Sequence, residues 1–312
     1  MQITNICVIG GSGFVGRHLC HQLAARGFRV RVPTRDRERA KSLILLPTVD
    51  VMVADVHDPA ALAGVIRGCD AVINLVGVLH DARSNRGFAA AHVELARKVV
   101  AACRLNKVRR LLHMSALAAG PDAPSDYLRS KGEAEREVLD AGLDVTVFRP
   151  SVIFGPEDSF LNLFAGLAKM LPVLALASPN ARFQPVFVED VADAFVHALT
   201  DIDTVGQSYD LCGPKRYTLR ELVIYVAGIT GHKRPVIGLN RALSYCQAFA
   251  MELLPVKLMT RDNLRSMEVD SICDCAFPFG IKPQSLEAVA PAWLAARTPR
   301  ARYQRFRDTA GR

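Results

Sequence analysis

A chain of 312 residues, half of them hydrophobic and 22% charged, can bury a core without a metal or disulfide staple and is neither disordered nor collagen-like. Its eight cysteines are too few for a disulfide scaffold, and as scattered thiols they fit a reducing cytoplasm. The net charge of +8 is concentrated in two runs: residues 26–41 carry six Arg and one Lys against Asp36 and Glu38, and residues 297–312 carry six Arg against one Asp.

Such patches suit phosphates, acidic protein surfaces or anionic lipid, and no nucleic-acid partner is expected. No secretory signal is expected, because the apolar start at 3–9 is short and runs into glycines. The longest apolar stretch, 161–177, is broken by Asn162, Lys169 and Pro172, so no transmembrane segment is expected. Cys273 and Cys275 form a C-x-C pair with no further ligands at zinc spacing. Ordinary thiols and no metal are expected there.

In chain order, residues 3–9 read as an apolar strand. A helix over 14–25 follows, with Val15, Leu19 and Leu23 on one face. Strands are expected at 28–32 and 49–53. Asp58 and Pro59, an N-cap and a proline at the first helical position, open a helix at 59–67. Residues 71–76 read as a buried strand, 89–105 as a long helix, 108–114 as a strand, 126–141 as a helix and 145–149 as a strand. Strands joined by helices of about 10–15 residues need parallel pairing and right-handed crossovers. The expected fold is α/β, a doubly wound parallel (Rossmann) sheet.

After Pro150 the pattern becomes irregular, with short helices at 160–170, 190–200, 218–230 and 241–253 and one strand at 184–188. A smaller C-terminal α/β lobe over the carboxyl edge of the sheet is expected. The domain reading is 1–155 for dinucleotide binding, 156–297 for a smaller substrate or partner lobe interleaved with the last sheet strands, and 298–312 for a basic tail.

The loop Gly10-Gly11-Ser12-Gly13-Phe14-Val15-Gly16 lies between the first strand and the first helix. Glycines at this spacing let the backbone turn tightly and approach a pyrophosphate, which the helix N-terminus then binds. The end of the second strand reads Pro33-Thr34-Arg35-Asp36-Arg37. Thr34 and Arg35 are expected at the adenosine ribose, where Arg35 pairs with a 2′-phosphate and stacks on adenine. NADP(H) is therefore expected over NAD(H), the alternative being that Asp36 takes the ribose. Asp55 and Val56 are placed to touch the adenine, and Leu75, Val76 and Gly77 to line the cofactor from the other side.

Tyr127 and Lys131 stand at i and i+4, on one face of a helix. A neighbouring ammonium favours the phenolate, so Lys131 is expected to lower the Tyr127 pKa and make it an acid/base. Ser115 closes a strand at the carboxyl edge, where its hydroxyl can hold a substrate carbonyl.

With these residues in this order, the chain resembles the extended short-chain dehydrogenase/reductase superfamily. Within it the chain looks most like an atypical branch, the NADPH-binding accessory subunit of respiratory complex I (the alpha-subcomplex subunit 9 family) and its bacterial relatives. The resemblance rests on Gly10 to Gly16, His92-Val93-Glu94-Leu95-Ala96, Met114-Ser115-Ala116-Leu117, Tyr127 to Lys131, and the run 148–158. It continues in Val188-Glu189-Asp190-Val191-Ala192, Thr260-Arg261-Asp262-Asn263 and Phe279-Gly280-Ile281-Lys282-Pro283. It implies cofactor binding and a Ser115, Tyr127, Lys131 triad, with Lys131 also on the nicotinamide ribose and Arg149, Pro150 and Ile153 packed beside the nicotinamide. Sugar-nucleotide epimerases usually carry Asn at the place of His92 and an acid at Arg35, which weakens a third reading as an NAD-dependent epimerase/dehydratase.

Two functions stay open. One is an NADP(H)-dependent oxidoreductase acting on a carbonyl or alcohol. The other is a catalytically silent accessory or assembly protein of a membrane respiratory complex, cytoplasmic or peripheral at the membrane, docked through the basic tail.

Overall fold

The computed structural model describes residues 3–79, 87–253 and 258–295; the basic tail, with its arginines from Arg297 onward, lies outside them. Seven strands form the main sheet: β1 (Asn5–Ile9), β2 (Arg29–Thr34), β3 (Val49–Val53), β4 (Ala71–Asn74), β5 (Arg110–Met114), β6 (Asp144–Pro150) and β7 (Ser208–Leu211). Their order is β7-β6-β5-β4-β1-β2-β3 and every neighbouring pair is parallel. Helices α1 (Phe14–Ala25), α2 (Pro59–Ile66), α3 (Leu95–Leu105), α4 (Asp126–Leu139) and α5 (Val188–Thr200) flank it. This is the doubly wound α/β architecture that the alternation of strands and helices predicts.

Strand side chains alternate between the two faces of a sheet. Cys7 and Ile9 of β1 join Val72, Leu111 and Val147 in a core sealed by Ile66 of α2, Val99 of α3 and Val138 of α4. Ile6 and Val8 alternate with them and are equally buried. Phe148 of β6 meets Phe195 of α5 with ring centroids 4.3 Å apart. Helix α1 is tied to α5 by His18, whose Nδ1 lies 2.5 Å from Glu189 Oε1, and by Gln22, which donates to the same carboxylate. Because β1 continues to β2 on one side and borders β4 on the other, the strand order reverses at β1. Sheets of this kind bind ligands outside the carboxyl ends of their strands at such a point.

The chain divides into two compact units. The first comprises Met1–Pro150, Val188–Leu211 and Asp274–Ile281; the second comprises Ser151–Phe187, Cys212–Cys273 and the chain from Lys282. Within the second, Ile153–Phe154 pairs with Val186–Phe187, Arg182–Phe183 with Tyr217–Thr218, and Leu174–Leu176 with Val236–Gly238. Helices Phe160–Met170, Leu219–Ile229 and Arg241–Glu252 complete it.

Several details differ from the sequence reading, which also has no strand at β7 (Ser208–Leu211). The strand expected at 184–188 is only Val186–Phe187, and α5 begins at once at Val188, with Glu189 and Asp190 in its first turn where the helix dipole favours acids. The long helix expected at 89–105 opens as a π-helical turn, Ala89–Glu94, before α3. Cys273 is not a thiol but is joined to Cys212 in a disulfide, a pairing across 61 residues that the local C-x-C spacing with Cys275 gives no means of seeing. Cys275 is free and exposed. No helix among the described residues is long and apolar enough to cross a membrane.

Candidate active site

The glycine loop turns between β1 and α1 through two short bonds, from Gly11 N–H to Val8 O (3.1 Å) and from Gly13 N–H to Gly10 O (2.9 Å). Gly10 has φ +85°, and a Cβ there would lie 3.2 Å from Val76 N, so the loop rests against the segment leaving β4. Gly16 is tighter still: its Cβ would stand 2.3 Å from Gly10 O. Only a glycine lets α1 come this close to its own loop. The first turn of α1 has amides with no intrahelical acceptor, and Gly13 brings no capping side chain to them. Arg17 donates to Ser12 O at 2.8 Å and braces the loop. Sequence reasoning stopped at the last glycine and missed Arg17. A cradle that a Cβ would fill, beside open helix amides, fits a dinucleotide pyrophosphate.

Thr34 is buried at the end of β2, and Arg35 beyond it is exposed. Arg35 makes no ion pair among the described residues. The Asp36 carboxylate is engaged in the turn that follows, accepting from Glu38 N–H at 3.0 Å and facing Arg39 at 3.5 Å. Asp55 and Val56 lie in the turn after β3, where Asp55 Oδ1 accepts from His57 N–H at 3.0 Å. Leu75, Val76 and Gly77 leave β4 beside the cradle, with Leu75 N–H bonded to Ile9 O at 2.9 Å.

Ser115 follows β5, extends its ladder by donating from N–H to Phe148 O at 2.8 Å, and is 3% exposed. Its Oγ has no hydrogen-bond partner among the described residues, an unfavourable state for a buried hydroxyl and one that a ligand oxygen would relieve. Helix α4 starts at its cap Ser125, which accepts from Leu128 N–H at 3.2 Å, and so presents Tyr127 in its first turn and Lys131 one turn on. The Tyr127 ring is half-buried and meets Phe88 and His92 edge-on at 5.8 and 5.6 Å. Lys131 is buried, and its Nζ donates to Met114 O (3.0 Å) and Val76 O (3.3 Å). It therefore joins the ends of β4 and β5.

Burial pushes the Lys131 ammonium down to about 8 and the Tyr127 phenol up to about 12. The expectation that Lys131 lowers the Tyr127 pKa is thus not met in this arrangement. Burial disfavours the phenolate, and the ammonium is held by two main-chain carbonyls. The same burial, with Lys131 as a second cause, pushes His92 down to about 2 and His113 to about 3. His113 Nδ1 lies 3.3 Å from Asn74 Nδ2, and its Nε2 has no partner among the described residues. Neither histidine was predicted as part of the site.

Arg149, half-buried on β6, is tied to Glu135 of α4 through Nε at 2.9 Å. Pro150 ends β6 and accepts from Leu117 N–H at 3.0 Å. Ile153 belongs to the second unit. Within the first unit the structure thus gathers the glycine loop, the exit of β4, Ser115, Tyr127 and Lys131 at the carboxyl ends of the strands, and sets Arg35 at the end of β2.

Residues 6–212 match the model of the NAD dependent epimerase/dehydratase family. A mouse protein named NADH dehydrogenase [ubiquinone] 1 alpha subcomplex subunit 9, mitochondrial, is 34% identical over 72% of the chain. The match spans 60% of that relative's length. A ceramide reductase of Caulobacter vibrioides is 33% identical over 75% of the chain and 73% of its own length. Among solved structures, the enzyme WbmH of Bordetella bronchiseptica in complex with NAD+ superposes with a TM-score of 0.65 at 22% identity, covering 76% of this chain and 86% of its own.

Proposed function

Because the chain belongs to the NAD-dependent epimerase/dehydratase family, whose members bind a pyridine nucleotide, we propose that it is an NADP(H)-dependent oxidoreductase that reduces a carbonyl to an alcohol. The observation that carries this reading is the set of Ser115, Tyr127 and Lys131 at the carboxyl ends of β5 and β4, with the Ser115 hydroxyl buried and unpartnered among the described residues. Gly10 to Gly16 and the start of α1 hold the pyrophosphate; Leu75 to Gly77 and Lys131 hold the nicotinamide half. When bound, the nucleotide supplies the hydride. Ser115 Oγ–H donates to the substrate oxygen and orients it.

Tyr127 then gives its proton to that oxygen. A phenol held at about 12 keeps its proton until a far stronger base appears, and the alkoxide formed by reduction is such a base. Tyr127 therefore stands as the proton donor that carbonyl reduction needs. The Lys131 ammonium, still charged at neutral pH, holds the ends of β4 and β5 together beside the nicotinamide ribose. The name of the Caulobacter relative, a reductase, supports the same direction.

Arg35 supports NADP(H), since it is exposed and makes no ion pair among the described residues, while Asp36 is occupied by its turn. A charge-assisted bond to a phosphate contributes about 1.5–3 kcal/mol, so NADPH should bind at least about tenfold tighter than NADH. Calorimetric titration of the wild type and Arg35→Ala tests this, and equal wild-type affinity for the two nucleotides refutes it. Tyr127→Phe should abolish reduction of any carbonyl the wild type reduces and leave NADPH affinity nearly unchanged. Normal turnover in that variant refutes the catalytic role.

A second reading, a silent nucleotide-binding subunit of a membrane respiratory complex, is favoured by the identity to the mouse subunit. In it the basic tail at 298–312 makes the contact at the membrane surface. Bound NADPH in the purified protein, without oxidation across a panel of carbonyls and quinones, would favour that reading.

A further inference from the structure

We infer that His92 is a positioning residue, a latch that fixes the exit of β4 to the first turn of α4 and so sets Tyr127 relative to the nucleotide cradle. This rests on the oxidoreductase reading above. His92 lies in the π-helical turn Ala89–Glu94 and is 2% exposed. Such turns are rare and occur often at functional sites. Its Nε2 is 3.1 Å from Val78 N. An amide can only donate, so Nε2 accepts and the ring proton sits on Nδ1. Nδ1 then donates to Ser130 Oγ at 2.8 Å, and Ser130 Oγ donates to Tyr127 O at 2.8 Å. The chain runs in one direction, Val78 to His92 to Ser130 to Tyr127, with every donor matched to an acceptor.

Both ends of this chain are at the site. Val78 is two residues past Val76, the residue against which Gly10 packs. Gly77 lies between them, and a Cβ there would be 3.1 Å from Lys131 Nζ and 3.8 Å from His92 Nε2. At the other end, Ser130 sits between Tyr127 and Lys131 on α4. The ring also packs: it stacks on Phe88 at 5.8 Å and meets Tyr127 edge-on at 5.6 Å. Phe88 meets Tyr127 in turn at 5.8 Å, so three rings hold one another. An imidazole suits the place because one rigid ring offers an acceptor, a donor and two faces. It must stay neutral, since a proton on Nε2 would oppose the Val78 amide. Burial and the nearby Lys131 keep it so.

Hydrogen exchange on the full chain reads the latch without any nucleotide. In His92→Phe, which keeps the ring and loses both bonds, the Val78 amide should exchange at least about tenfold faster. Unchanged protection overturns the proposal. NADPH titration then reads its effect on the site. His92→Phe and Ser130→Ala should each weaken binding about 3–10-fold, and the double variant should be no weaker than His92→Phe, because the two side chains act in series. His92→Gln, whose amide offers an acceptor and a donor, should recover affinity to within about threefold of wild type.

Where a carbonyl is turned over, His92→Phe should lower kcat about tenfold or more, with KM for the carbonyl changed less than about twofold. Losses that add in the double variant, or no rescue by Gln, would show a ring that only fills space. A wild type that binds neither NADPH nor NADH sinks the nucleotide reading alone, and hydrogen exchange still decides the latch.

Discussion

Gly16→Ala tests the cradle most directly. The added methyl would lie 2.3 Å from Gly10 O, 2.5 Å from Gly11 Cα and 2.6 Å from Gly11 O. Ordinary carbon contacts are about 3.5–4.0 Å, so the loop or α1 must move by about 1 Å. All three atoms are backbone, and no flexible side chain can absorb the shift. Gly to Ala inside a helix is worth up to about 1 kcal/mol, and less in a first turn. Overpacking of this kind costs about 1–3 kcal/mol, so the net change is a loss of about 1–2 kcal/mol. At about 2–4 °C per kcal/mol the midpoint should fall by roughly 2–8 °C. A loop displaced by that much also loses at least one charge-assisted bond to pyrophosphate, which weakens nucleotide binding about 10–100-fold. Gly64→Ala is the control: Gly64 lies in α2, and a Cβ there meets nothing within 4 Å. That variant should gain up to about 1 kcal/mol and bind nucleotide as the wild type does. Thermal melts and NADPH fluorescence titrations of both variants decide the matter. A Gly16→Ala protein as stable and as tight-binding as wild type would refute the close approach of α1 to its loop.

Lys131 gives a second prediction. Its pKa falls from 10.5 unfolded to about 8 folded, so between those values the unfolded chain holds the extra proton and stability rises with pH. Lys131→Met should be more stable than wild type by about 1–3 kcal/mol at pH 7, with the advantage shrinking from pH 8 to 10.5 in urea melts. His113 is lowered from 6.5 to about 3, and here the unfolded chain gains the proton first as pH falls through 6.5. Wild type should lose up to about 1.4 kcal/mol per pH unit from this residue below that point, and His113→Leu should show a correspondingly shallower slope. Arg149→Met leaves buried Glu135 without its cation and should cost about 2–3 kcal/mol, more than Glu135→Leu with Arg149→Met together, as chemical denaturation would show.

The sheet is readable from sequence through β6 because each strand is either a short apolar run, as in β1 and β4, or an alternating one, as in Arg29-Val30-Arg31-Val32 of β2, with helical spacing between them. Strand β7 is hard to read because Ser208-Tyr209-Asp210-Leu211 alternates over only four residues with no apolar run, and only Leu211 is fully buried. The glycine loop could be read because its demands are local. Spacing of i and i+4 correctly put Tyr127 and Lys131 on one helix, but it carries no information about solvent. Burial sets the direction of the tyrosine shift, and Phe88 and His92, whose rings meet Tyr127, lie on a distant segment. His92 was noticed only as a mark of the family branch. Its partners Val78 and Ser130 lie 14 and 38 residues away, beyond any local pattern.

The chain leaves the first unit after β6 at Pro150, returns to it for α5 and β7 over Val188–Leu211, leaves again, and comes back for Asp274–Ile281. A ribosome that has released residues 1–150 has therefore made six of the seven strands and left β6 as an open edge. That edge, Asp144–Pro150, carries buried Val145, Val147 and Phe148, and its unpaired amides and carbonyls invite pairing with another chain. Its proper neighbour, β7, emerges only after the Ser151–Phe187 segment and all of α5. The nascent protein is open to aggregation in this window, when its glycine loop and the ends of β4 and β5 are already made. No single cut separates the two units, so a fragment ending near residue 150 should need a chaperone or a supplied β7 peptide to stay in solution.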